Sequence, residues 1–169
     1  IEISFRTIEE NPGKRIFLLS EMIHNPQVNA TLKKKGVQFL QDTYGKQVIS
    51  FDEITKDDVV IIPAFGTTLD IEQMLNEKGI ATEKYNTTCP FVEKVWNRSE
   101  QIAAKGYSIV VHGKPKHEET RATFSHASSH IATVIVNDMK DTVELGKYIT
   151  GEKPAAQFYD EFKGLYSEG

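Results

Sequence analysis

Short apolar segments alternate with amphipathic ones along most of the chain, and this alternation constrains the fold more than any other feature of the sequence. Buried strands are predicted where β-branched and aromatic residues are bounded by polar ones, at residues 16–19, 37–40, 59–62, 108–111 and 131–136. Helices are predicted at residues 26–35, 69–78, 90–105, 138–148 and 155–166, with a turn or two from Glu118. Strands that alternate with crossover helices form parallel sheets. The sequence therefore predicts an α/β fold with mainly parallel sheets flanked by helices.

The length of 169 residues allows two small domains. Similar amounts of strand and helix lie on either side of residues 88–90, which predicts one α/β domain over residues 1–88 and another over residues 89–169. The clearest helix has Pro90 at its first position and Gly106 just past its end. Its apolar residues recur at helical spacing and predict a face turned to the core: Phe91, Val92, Val95, Trp96, Ile102 and Ala103.

The charge balance excludes two classes of partner. The formal net charge is −4 and the pI is about 5.8, so no basic field favours nucleic acid or anionic lipid. No apolar run approaches the ~20 residues of a membrane span, and no signal segment opens the chain. These features predict a cytoplasmic protein, or a plastid one if it comes from a plant or alga.

Three strand-to-helix junctions carry side chains suited to chemistry, at residues 20–26, 86–90 and 112–119. In parallel sheets, ligands bind beyond the carboxyl ends of the strands, where helix N-termini offer free N–H groups to anions. The three junctions therefore predict a site for a phosphorylated ligand.

Cys89 is the only cysteine, which excludes a disulfide within the chain and any site built from several of its thiolates. It directly precedes Pro90, and the start of a helix stabilises the thiolate that metal ligation or nucleophilic attack requires. The alternative is an inert cysteine packed as a small hydrophobic residue.

Two histidines and a carboxylate are the other candidate site residues. His24 stands before a predicted helix and can donate to an anion, although it could instead pack at the strand end. His117 and Glu119 are two positions apart on a turn, so one can bind and the other can handle a proton. The alternative is that Glu118 and Glu119 only favour the first turn of a helix. The remaining histidines are predicted to be structural or exposed: His112 at a strand end, and His126 and His130 in a polar loop.

Four motifs in this order resemble those of the 4-hydroxy-3-methylbut-2-enyl diphosphate reductases, the family also called IspH or LytB. They are the segments EMIHNPQVN at residues 21–29, VIIPAFG at 60–66, TTCPFVEKVWN at 87–97, and HGK with HEET within 112–120. The forms PAFG and KVWN are most similar to the branch found in plants and cyanobacteria.

This resemblance implies a three-lobed, trefoil-like fold of α/β domains around a 4Fe–4S cluster. The implied reaction is reductive dehydroxylation of 4-hydroxy-3-methylbut-2-enyl diphosphate to isopentenyl and dimethylallyl diphosphates, with electrons from a ferredoxin-like donor. By position in the motifs, Cys89 is a cluster ligand, His24 and His117 bind the diphosphate, and Glu119 donates a proton. Many members have a histidine where Phe65 stands, although the plant-like branch shares the phenylalanine.

The resemblance covers the first two domains of a family member only. The family's first cluster cysteine lies ahead of the helix with which this chain begins, and another lies in the third lobe. The chain is therefore expected to be a fragment that alone binds no stable cluster and does not turn over. Two alternatives remain: a thiol hydrolase or transferase that pairs Cys89 with His24 or His117, and a non-catalytic α/β module that binds a phosphorylated ligand.

Overall fold

A computed structural model describes all of residues 1–169 and divides them into two compact units, Ile1–Glu93 and Lys94–Gly169. The boundary predicted from the sequence, between residues 88 and 89, falls just before this division and stays a prediction. No helix combines the length and the apolar character that crossing a bilayer requires.

The first unit is built on a three-stranded parallel sheet with the order β2-β1-β3. This confirms the parallel α/β architecture predicted for this part of the chain. Its elements, in chain order, are α1 (Glu2–Glu10), β1 (Ile16–Leu18), α2 (Pro26–Lys34), β2 (Gln38–Phe39), β3 (Val59–Ile61), α3 (Leu69–Glu77) and the start of α4 (Pro90–Ala103). Short 3-10 turns occupy Phe51–Glu53 and Glu83–Tyr85.

The central strand β1 shows why this sheet forms. Successive side chains of a strand point to opposite faces. Phe17 packs in one apolar cluster, while Ile16 and Leu18 pack in another. All three residues of β1 are buried, as expected for a strand that is covered by helices on both faces.

The second unit has a three-stranded sheet with the order β4-β5-β6. Strands β4 and β5 are parallel, whereas β6 runs antiparallel to β5. The elements that follow α4 in the chain are β4 (Ile109–His112), α5 (Glu118–Ser128), β5 (Thr133–Val136), α6 (Met139–Ile149), α7 (Ala155–Glu161) and β6 (Tyr166–Ser167). Its core joins β5 to α6 and the segment after α7, through Val134, Val136, Leu145 and Phe162.

Two predicted helices differ from those observed in the second unit. The helix predicted over residues 155–166 ends at Glu161, because the chain turns at Gly164, whose φ of 75° lies in the left-handed region that favours glycine. Tyr166 and Ser167 then form the antiparallel strand β6. Conversely, α5 is longer than the turn or two predicted from Glu118 and continues to Ser128.

The prediction that the apolar stripe of α4 faces a core is wrong. Phe91 is 79% exposed and Val95 is 51% exposed, and Ser99 is the one buried residue of the helix. Helical periodicity identifies an apolar face, but burial also needs an element that covers it. Within these 169 residues no element buries Phe91 or Val95.

Candidate functional site

The turn after β1 presents His24 at the start of α2. Asn25 caps this helix, because its Oδ1 accepts hydrogen bonds from the backbone N–H groups of Gln27 and Val28 at 3.0 and 3.3 Å. Pro26 occupies the first helical position, where its missing N–H costs nothing. The helix therefore begins directly after His24, which lies exposed beyond the carboxyl end of β1.

Asn29 holds the backbone of Met22 and Ile23, the two residues just before His24. Its Oδ1 accepts a hydrogen bond from the backbone N–H of Met22 at 3.0 Å, and its Nδ2 donates to the carbonyl of Ile23 at 2.9 Å. Asn29 is only 5% exposed, so these bonds form away from bulk water. Sequence reasoning did not single out this residue, although a polar residue within the first turns of a helix in the EMIHNPQVN motif was a usable signal.

The imidazole of His24 stacks on the ring of Phe65, with centroids 4.4 Å apart and planes inclined by 25°. Its Nδ1 lies 4.0 Å from a carboxylate oxygen of Glu21, and the side chain is 45% exposed. Phe65 thus orients the imidazole of His24 from the turn after β3.

That second turn, after β3, is closed by a hydrogen bond from the N–H of Gly66 to the carbonyl of Pro63 at 2.9 Å. Gly66 has a φ of 73°, which favours glycine. Between them, Ala64 donates its N–H to the carbonyl of Met22 at 3.2 Å and accepts from the N–H of Cys89 at 2.9 Å. The backbone of Ala64 therefore connects the turn of His24 to Cys89.

Cys89 follows a segment that runs alongside the end of β3. Ile62 and Asn86 form a parallel bridge, and both the N–H and the Oγ1 of Thr87 donate to the carbonyl of Ile62, at 3.1 and 2.5 Å. Cys89 directly precedes α4, and its carbonyl accepts from the N–H groups of Val92 and Glu93. The residue is half-buried, so its thiol is not sealed inside packed hydrocarbon.

In the second unit, the loop between β4 and α5 carries His117. A Cβ on Gly113 would collide with the Oγ1 of Thr120, so the close approach of loop and helix requires glycine. His117 occupies the N-cap position of α5 and accepts from the N–H of Arg121 through its carbonyl at 2.9 Å. This arrangement holds the imidazole of His117 at a helix N-terminus.

Glu119 lies in the first turn of α5, exposed, while its neighbour Glu118 is buried. A ring nitrogen of His117 and a carboxylate oxygen of Glu119 lie within 4.8 Å of each other. The structure thus brings together the imidazole and the carboxylate that the sequence singled out two positions apart.

The prediction that His126 is exposed in a polar loop is wrong. His126 lies within α5, is half-buried, and stacks on Trp96 with ring centroids 3.6 Å apart and planes inclined by 8°. His130 is exposed, as predicted. The stack joins α4 to α5.

Comparison with known proteins places these residues in a family. Residues 1–158 match the family model described as LytB protein. The chain belongs to the LytB family. The match includes all four motifs and so includes every candidate residue of the site. It confirms the resemblance found in the sequence.

Two cyanobacterial relatives, both named 4-hydroxy-3-methylbut-2-enyl diphosphate reductase, illustrate the match. Those of Gloeothece citriformis and of Picosynechococcus sp. are each 38% identical over 169 residues, which is 100% of this chain and 40% of theirs. A solved structure of (E)-4-hydroxy-3-methyl-but-2-enyl diphosphate reductase, the terminal enzyme of the non-mevalonate pathway, is 26% identical and superposes with a TM-score of 0.66. That superposition covers 85% of this chain and 47% of the other. This LytB chain therefore spans less than half the length of these relatives.

Proposed function

We propose that this chain is part of a 4-hydroxy-3-methylbut-2-enyl diphosphate reductase, which removes the hydroxyl group of its substrate to give isopentenyl and dimethylallyl diphosphates. The single observation that carries the proposal is the family match over residues 1–158, which contains all four motifs. The identity of 38% to reductases from cyanobacteria supports it. The cytoplasm, or a plastid in a plant or alga, is the proposed location.

His24 and His117 are the proposed ligands of the diphosphate. His24 precedes the first turn of α2, and His117 caps α5. The first N–H groups of a helix have no partner within it and favour negative charge, so an imidazole at either place adds a donor beside an anion-binding helix end. Lys114 and Lys116, both exposed in the loop before His117, add positive charge near α5.

Glu119 is the proposed proton donor for the departing oxygen. Its carboxyl group is exposed and lies within 4.8 Å of His117, so a group held by the imidazole would be within reach of the acid. Loss of hydroxide is slow, whereas loss of water after protonation is fast, and a positioned acid supplies that difference.

Cys89 fits the role of one ligand of a 4Fe–4S cluster. Its residue is half-buried and its backbone is held by Ala64 at the start of α4, which gives the sulfur a defined position and leaves it accessible. The chain has one cysteine, so the other thiolates would come from outside these 169 residues. When bound, such a cluster supplies electrons and a Lewis-acidic iron for the hydroxyl oxygen. The isolated chain is accordingly proposed to be inactive, and the electron donor of the whole protein to be ferredoxin-like.

The test uses the full-length protein, reconstituted with iron and sulfide without oxygen and supplied with reduced methyl viologen. The expected result is formation of isopentenyl and dimethylallyl diphosphates. Replacing Glu119 by Gln should leave the cluster spectrum intact and lower turnover by about 100-fold or more, because general acid catalysis contributes ~10²–10⁴-fold.

Glu2→Gln is the matched control, because Glu2 is also an exposed glutamate in the first turn of a helix. It should turn over like the unaltered protein. Normal turnover by Glu119→Gln would remove Glu119 from its role, and the absence of any product from the unaltered protein would refute the reductase assignment.

A further inference from the structure

Asn29 is a buried polar residue whose two hydrogen bonds both end on the turn that carries His24. Its Oδ1 accepts from the N–H of Met22 at 3.0 Å, and its Nδ2 donates to the carbonyl of Ile23 at 2.9 Å. A primary amide offers an acceptor and a donor at once, which a carboxylate or an aliphatic side chain cannot do. With Asn29 only 5% exposed, loss of the amide would leave both backbone groups short of a partner.

The bonded chain continues from Met22 to Cys89. The carbonyl of Met22 accepts from the N–H of Ala64 at 3.2 Å, and the carbonyl of Ala64 accepts from the N–H of Cys89 at 2.9 Å. Thr87, which precedes Cys89 by two positions, also contacts Met22, with its Oγ1 3.4 Å from the Sδ. Met22 is 0% exposed, so a shift of its backbone would require its packed surroundings to move.

We infer that Asn29 is a positioning residue for two side chains. It holds His24 through its hydrogen bonds to Met22 and Ile23, and it holds Cys89 through the hydrogen bonds that join Met22 to Ala64 and Ala64 to Cys89. This inference rests on the roles proposed above for His24 and Cys89. Asn29 itself is not one of the residues proposed to bind the diphosphate or the cluster. Without the bonds of Asn29, the turn that carries His24 would be less ordered before binding. A ligand would then bind more weakly, because the entropy cost of ordering the turn would fall on the binding step.

Asn11 provides a matched control within the same unit. It is 8% exposed, its Nδ2 donates to the carbonyl of Thr7 at 2.8 Å, and its Oδ1 accepts from the hydroxyl of Tyr85 at 3.1 Å. Asn11→Ala and Asn29→Ala therefore each remove two hydrogen bonds of a buried asparagine. Only Asn29 is bonded to the turn of His24.

The experiment compares the two variants in the full-length protein. In the cluster-free form, Asn29→Ala should raise the Kd for inorganic pyrophosphate by about tenfold, because binding must then also order the loosened turn. Alkylation of the Cys89 thiol by iodoacetamide should become about threefold faster as local opening becomes easier. Asn11→Ala should change both quantities by less than about twofold at a similar loss of thermal stability.

The reconstituted form gives an independent measurement. Asn29→Ala should raise KM for the diphosphate substrate more than it lowers kcat, whereas a merely structural loss would reduce the active fraction and leave KM unchanged. Asn29→Asp keeps the acceptor for Met22 but places a carboxylate oxygen against the carbonyl of Ile23, so its Kd should also rise above that of the unaltered protein. It also serves if Asn29→Ala does not fold.

His24→Ala separates failure of this inference from failure of the proposed function. If His24→Ala weakens pyrophosphate binding but the Asn29 variants behave like Asn11→Ala, Asn29 is not a positioning residue and the proposed role of His24 stands. If neither His24→Ala nor the Asn29 variants change pyrophosphate binding, the role of His24 is wrong and the inference falls with it.

Discussion

The two units place a histidine at a strand-to-helix turn by different means. In the first unit the turn is held by the buried side chain of Asn29, which bonds to Met22 and Ile23. In the second unit the loop before His117 approaches α5 closely at Gly113, where a Cβ would collide with the Oγ1 of Thr120. A buried polar side chain therefore positions the turn of His24, whereas a missing side chain lets the loop that carries His117 lie close to its helix.

The core of the first unit is also more completely buried than the core of the second. The strand β1 has a parallel neighbour on each side, whereas β4 has one neighbour, β5, and its Val110 is 49% exposed. An apolar cavity of about 340 Å³ in the second unit is lined by side chains that include Val110, Leu145 and Tyr159. The largest fully buried side chains lie in the first unit, with Val136 as the exception: Phe17, Leu18, Leu19, Met22, Leu32, Leu40, Val59, Val60, Ile61, Ile62 and Leu75.

The largest effect that tests this comparison is the loss of a core leucine from each unit. Leu18→Ala should lower the free energy of unfolding of the first unit by about 3–4 kcal/mol, because Leu18 is 0% exposed and the closed core cannot collapse around the gap. Leu145→Ala should cost about 1–2 kcal/mol less, because Leu145 already borders the cavity.

Urea unfolding measures both changes, with amide exchange reporting the first unit. Fluorescence of Trp96, the one tryptophan, reports the second. Equal losses from Leu18→Ala and Leu145→Ala would mean that the cores are packed alike, contrary to the comparison.

The sequence predicted the elements of this fold that depend on local patterns, but not those that depend on distant contacts. Strands β1 and β3 were predicted to within a residue, because a strand buried on both faces is a continuous apolar run that local reading detects. The stripe of α4 was misread because periodicity is local, whereas the covering of Phe91 and Val95 depends on other elements. The strand β6 was missed because its pairing with β5 is a long-range contact that helix propensity does not encode.

The site shows a similar limit. Motifs located His24, Cys89, His117 and Glu119, since reactive side chains beside predicted helix starts are visible in a sequence. They did not reveal the stack of His24 on Phe65, which joins turns after different strands. Nor did they reveal the bonds of Asn29, because the type of a residue does not show which backbone groups its side chain contacts.

The next effect concerns the ion pair of Arg15 with Asp58, which anchors β1 to the start of β3. Burial raises the pKa of Asp58, but hydrogen bonds from Arg15 and Thr55 and the charge of Arg15 outweigh it, so the pKa is lowered overall. A carboxyl group with a lowered folded-state pKa stabilises the fold above its unfolded pKa of about 3.9, and this stability is lost as the pH falls through the folded pKa.

Asp58→Asn should therefore lower the stability of the first unit at pH 7 by about 1–2 kcal/mol, a value reduced because Arg15 is half-exposed. It should also flatten the pH dependence below about pH 4. Urea unfolding of both proteins between pH 7 and pH 2 measures this. A variant whose stability runs parallel to that of the unaltered protein throughout would show that the pair does not carry the acid sensitivity.

The smallest expected effect concerns Tyr148 and Glu161, a hydrogen-bonded pair on the surface of the second unit. The hydroxyl of Tyr148 donates to the carboxylate of Glu161, and this bond, with desolvation and the carboxylate charge, raises the pKa of Tyr148 to about 12. A raised pKa on an acid that is neutral when protonated gives stability that is present below the unfolded pKa of about 10 and lost as the pH rises through the folded value.

Ultraviolet titration should show one late-ionising phenol in the unaltered protein, and Glu161→Gln should return it toward the ordinary range. Because Glu161 is exposed, the change should be clear in the titration and negligible in stability at pH 7. A measurable loss of stability at pH 7 would show instead that surface pairs in the second unit replace the closed core that it lacks.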